Sequence, residues 1–166
     1  MNYEYVQLKG FAKFTHFTPM LFVLIVPVMG VALPVIQPGG KDISLLWIIG
    51  TPIAALVYWW LKRLLRYQVI HTTRNAEENY RAVLALVTEL GWNIKNDRPL
   101  EFIQASVKGF PKTMSSWGEL VSVAFHGNDV YINSICDPGK QPSLTAYGRN
   151  IENVEAVINA IDGPNP

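Results

Sequence analysis

Hydrophobic positions along the chain fall into two regimes. From Phe17 to Gln37 the sequence reads FTPMLFVLIVPVMGVALPVIQ, and from Ile43 to Leu61 it reads ISLLWIIGTPIAALVYWWL, with no Asp, Glu, Lys or Arg inside either run. A stretch of about 20 predominantly apolar residues matches the thickness of a bilayer core, so each run predicts a transmembrane helix. Pro38-Gly39-Gly40-Lys41-Asp42 is rich in turn residues and too short to hold a domain, which makes the two helices antiparallel neighbours. Pro27 and Pro52 are expected to kink them.

Beyond Arg74 the apolar positions recur at shorter range. Asn75 can cap a helix and Glu78 is the matching capping-box partner. Tyr80, Val83, Leu84, Val87 and Leu90 follow at helical spacing, and Gly91 supplies the stop. Trp92 to Lys95 and Leu100 to Val107 have strand character on either side of the turn residues Asn96 to Pro99. Glu119 to Phe125 and Asp129 to Ile135 form a second hairpin across Gly127-Asn128, with glycine first, as a type II′ turn requires. If His126 pairs with Asp129, then Val121, Val123 and Phe125 share a face with Val130, Ile132 and Ser134. Ser122, His126, Tyr131 and Asn133 fall on the other face. Asn150 is read as the cap of a last helix with Val154, Val157, Ile158 and Ile161 on one side.

The expected fold is therefore a membrane α-helical hairpin followed by a small α+β domain of order α-β-β-β-β-α, its antiparallel sheet covered on one face by two helices. The segments are 1–16, an N-terminal segment; 17–37 and 43–61, the spans, joined by the turn 38–42; 62–74, a basic stalk; 75–163, the domain; and 164–166, a tail.

Charge orients this arrangement. Lys9 and Lys13 precede the first run, Lys62, Arg63, Arg66 and Arg74 follow the second, and only Lys41 lies between them, so both termini are expected in the cytoplasm of a bacterial inner membrane. Tyr58, Trp59 and Trp60 resemble an interfacial aromatic belt. Lys62, Arg63 and Arg66 are candidate contacts to lipid headgroups, and Gly30, Gly50 and Ala54 are small enough to serve as helix-packing positions. Gly30-Val31-Ala32 would alternatively suit a signal-peptide cleavage site, although the apolar run is longer than a usual signal core.

Composition narrows function. Charged residues make up 16% of the chain against about 25% in ordinary globular domains, and the net charge of +1 gives no field for nucleic acid. The single cysteine, Cys136, excludes an intrachain disulfide and Cys-pair zinc motifs. His16, His71 and His126 lack metal-ligand spacing, and the motifs of zinc proteases, α/β-hydrolases, phosphate-binding loops and dinucleotide folds are missing. No cofactor, metal or enzymatic activity is expected. Catalysis would require at least two of Glu119, His126, Asp129 and Asp137 to converge in a cleft.

The loop-to-strand junction Ser115-Ser116-Trp117-Gly118-Glu119 gathers hydroxyls, an indole and a carboxylate. Ser116, Trp117, Glu119, Tyr131 and Tyr147 are accordingly the candidate contacts to a partner or ligand. The expected function is that of a non-catalytic, membrane-anchored accessory or scaffold subunit, with membrane lipids and other membrane-protein subunits or a second copy as partners. The alternative is a tethered sensor that binds a small ligand or lipid headgroup between the sheet and the loop Gly109 to Gly118.

Overall fold

The computed structural model describes residues 4–36, 44–108, 118–140 and 147–163. Two helices, α1 (Gly10–Ile36) and α2 (Ser44–Leu64), come first and pack along each other. A short strand β1 (Gln68–His71) leads to α3 (Ala76–Glu89). Strands β2 (Asn93–Arg98), β3 (Phe102–Lys108), β4 (Gly118–His126) and β5 (Asp129–Cys136) precede α4 (Tyr147–Asp162). The five strands form one antiparallel sheet in the order β1-β5-β4-β3-β2.

The expected pair of membrane spans is corrected by this architecture: among the described residues no helix is long and apolar enough to cross a membrane. The helices run past the apolar windows 17–37 and 43–61 into polar sequence. Helix α1 begins seven residues earlier and takes Lys13, Thr15 and His16 into its first turns. Helix α2 has Pro52 in its interior and ends on Lys62 and Arg63. A run of apolar letters describes composition, whereas spanning requires one helix to meet length and apolarity together. The inner-membrane location with cytoplasmic termini is withdrawn with the spans. The turn 38–42 and the tail 164–166 lie outside the described residues.

Local chemistry explains α3. The Asn75 side chain accepts from the Glu78 N–H while the Glu78 carboxylate accepts from the Asn75 N–H, both near 3 Å. At the other end Gly91 adopts φ +64°, its N–H reaches Thr88 O, and the Trp92 N–H reaches Val87 O. This is a Schellman closure, and the left-handed residue it needs is a glycine. Helices α3 and α4 cover one face of the sheet. Val83, Val87, Val157 and Ile161 meet Ile103, Val121, Val123, Val130 and Ile132 there, all nearly inaccessible. Each such aliphatic side chain contributes about 1.5–3 kcal/mol.

The β4–β5 register is the one read from the sequence: His126 faces Asp129 and Val123 faces Ile132 across a turn in which Gly127 has φ +60°. Three details differ. The β2–β3 turn falls at Arg98 to Glu101 rather than at Asn96 to Pro99, with Pro99 and Leu100 in its centre and Leu100 at φ +66°. Helix α4 begins at Tyr147, so Asn150 lies inside it and accepts a hydrogen bond from the Ser134 hydroxyl instead of capping. Strand β1 was not foreseen, because Gln68-Val69-Ile70-His71 is short and mostly exposed and owes its conformation to pairing with β5.

The second sheet face is partly closed by the chain itself. Tyr5 bridges to Arg66, the Val6 N–H donates to Leu65 O at 2.8 Å, and Val6, Leu65, Leu120 and Ile135 form a smaller core between the sheet and the helical pair.

Candidate functional site

The sheet separates the expected contact residues. Glu119 points with Val121 and Val123 into the helix-covered face, is inaccessible to solvent, and lies 3.6 Å from Arg149 of α4. Tyr131, one residue out of phase with Val130 and Ile132, lies on the opposite face with its ring edge on Tyr67 at 6.4 Å between centroids. Strand alternation thus keeps the two apart. Tyr147 opens α4, while Ser116 and Trp117 lie outside the described residues.

The helical candidates are placed more simply. Gly50, Ala54 and Leu61 are buried along one side of α2 at spacings of four and seven residues, and Gly30 lies within α1. Lys62 Nζ sits 5.2 Å from the Tyr5 ring centre and Arg63 stands 5.5 Å from that of Trp59, while Arg66 bridges the N-terminal segment.

Glu119, His126, Asp129 and Asp137 do not gather in one cleft. Glu119 and Asp137 belong to one end of the β4–β5 hairpin, His126 and Asp129 to the other, seven residues or roughly 23 Å away. At the far end Asp129 pairs with the exposed His71 at 2.6 Å. Among the described residues no group of three His, Cys, Asp or Glu side chains is placed to hold a metal ion.

One polar cluster escaped the sequence reading. The buried Ser106 hydroxyl donates to Asp137 Oδ2 at 3.2 Å and accepts from Lys140 Nζ at 3.2 Å, while Asp137 Oδ1 accepts from the Gly139 N–H. An ammonium that donates here has no lone pair with which to take a proton from the serine. The ring therefore fastens the turn after β5 onto β3. Ser106 carries no local motif, and only strand pairing brings it beside residues some thirty positions away.

The remaining concavities lie where the N-terminal segment and α1–α2 meet the sheet. His16, fully buried between α1 and α2, donates from Nε2 to the Leu61 carbonyl at 3.0 Å, and burial lowers its pKa below the usual imidazole value. A cavity of about 470 Å³ opens between residues 5–9 and strands β2 to β4, and a second, of about 210 Å³, lies on the other side of the same segment. A third, of about 600 Å³, lies between the end of α2, β5 and α4. No protein-family model, curated protein or solved structure matches the chain.

Proposed function

We propose that the chain is a non-catalytic accessory or scaffold subunit that attaches to a partner subunit through the outer flank of the α1–α2 pair. The carrying observation is an inverted pattern on these helices. Phe14, Leu21, Phe22, Ile25, Val28 and Met29 of α1 and Ile48, Ile49, Ile53, Leu56 and Trp59 of α2 are all exposed large apolar side chains. Surface helices ordinarily turn polar residues outward, and contiguous apolar surface on this scale marks an interaction site. Between Leu21 and Met29 the flank carries no charge, so the matching surface is apolar as well, and a helix of a partner subunit presents such a stripe in the required shape.

Support for a non-catalytic role comes from the separation of the candidate acids and histidines and from the structural use of Ser106, Asp137 and Lys140. The loop-side sensor reading rests on the loop Gly109 to Gly118, of which only Gly118 is among the described residues.

The test places a photo-reactive amino acid at Phe22, at Leu56 and, as a control on the sheet edge, at Lys95 in cells that make the protein. Adducts to one and the same partner from Phe22 and Leu56, absent from Lys95 and abolished by Ile25→Glu, are expected. Adducts only to a second copy of the chain, or equal yields at all three positions, would overturn the reading.

A further inference from the structure

The cavity beneath the N-terminal segment has a lining that its role in packing does not require. Three aromatic residues, Tyr5, Tyr67 and Phe102, line it together with Val6, Leu8 and Leu120 and with two cations, Lys9 and Arg98. None of the described lining residues is Asp or Glu. Among the described residues neither Lys9 nor Arg98 takes part in an ion pair. The larger cavity also carries two arginines, but Glu155 lines it and opposes them.

Its walls are held in place by the backbone. The Val6 N–H to Leu65 O and Tyr67 N–H to Glu4 O bonds seat the N-terminal segment, and Phe102 and Leu120 belong to paired strands. A volume of about 470 Å³ suits a small molecule, which typically occupies roughly 300–1,000 Å³. Aromatic walls favour a planar ring, and Arg and Lys groups with no acidic side chain in the described lining favour a carboxylate or phosphate, which a guanidinium grips with two parallel hydrogen bonds.

We propose that this cavity binds a small organic anion with a planar aromatic body, of the aryl phosphate or aryl carboxylate class, its ring among Tyr5, Tyr67 and Phe102 and its head between Lys9 and Arg98. The proposal is independent of the docking flank on α1–α2, since none of the described residues belongs to both.

Calorimetric titration of the full chain with phenyl phosphate, inorganic phosphate and phenol tests it. Phenyl phosphate is expected to bind saturably, and each fragment at least about tenfold more weakly. Arg98→Gln and Lys9→Gln each weaken phenyl phosphate about tenfold and reduce its salt dependence. Phe102→Ala weakens phenyl phosphate but leaves inorganic phosphate unchanged. Lys9 and Arg98 are exposed, so unchanged thermal melting of both variants is the control for folding. The proposal is overturned by absence of saturable binding, by equal affinity for phosphate and phenyl phosphate, or by retention of native affinity when Lys9 and Arg98 are both replaced.

Discussion

His16 of α1 donates its Nε2 proton to the carbonyl oxygen of Leu61, 45 residues further along the chain, at 3.0 Å. The acceptor is available because α2 tightens as it ends: the Leu65 N–H turns to Lys62 O and the Arg66 N–H to Arg63 O. The last carbonyls of a helix lack partners within it, and His16 supplies one where water has no access.

Burial of that ring makes the helical pair sensitive to acid. Burial holds the folded-state pKa of His16 below its ordinary 6.5, with the bond to Leu61 opposing part of the shift. Stability from the neutral ring is complete above pH 6.5 and is lost as pH falls from there through the lowered folded-state value, because the unfolded chain binds the proton first. Thermal melts between pH 8 and pH 5 are expected to show this loss, and His16→Phe to flatten it. That variant also costs about 1–3 kcal/mol at pH 8 by stranding the Leu61 carbonyl.

Glu119 and Arg149 form a pair whose carboxylate is wholly removed from water. Arg149→Met removes the cation 3.6 Å from that charge and is expected to destabilise the chain in urea unfolding, by up to about 3–5 kcal/mol. Adding Glu119→Gln should restore most of the loss. If the double variant were no more stable than the single one, desolvation of Glu119 would not be the cause.

Leu100 occupies the left-handed region at φ +66° in a turn led by Pro99 and remains 45% exposed. Little packing opposes a change there, while the positive φ costs a branched side chain about 1–2 kcal/mol. Leu100→Gly is therefore expected to raise stability by about 0.5–1 kcal/mol, read as a higher urea midpoint with an unchanged slope.

Tyr80 has its ring buried against Phe125 while its hydroxyl reaches the carboxylate of Asp97 on the edge strand, at 2.9 and 3.0 Å. Desolvation, then the hydrogen bond and charge of Asp97, raise its pKa above 10. The associated stability is complete below pH 10 and disappears as pH rises through the higher folded-state value. Absorbance titration of the phenolates should show Tyr80 ionising late, and Asp97→Asn is expected to bring its midpoint down.

Features decided within a few residues were legible from residue types alone. Asn75 with Glu78, Gly91 after Leu90, and Gly127 before Asn128 each set a local backbone state through one side chain or one missing Cβ, so α3 and the β4–β5 register follow from the letters. Distant neighbours were not legible. Val6, Ser106, His16 and Glu119 have no local signature, and each acquires its role only when a segment tens of residues away closes over it. The same limit misplaced Glu119 and Tyr131 into one candidate site, because side-chain alternation became decisive only once the sheet was covered on one face. It also turned two apolar runs into expected spans. Their composition was plain from the chain, but helix limits, the burial of His16 and the exposed flank depend on packing, where burial is a property of pairs of elements and not of any one stretch.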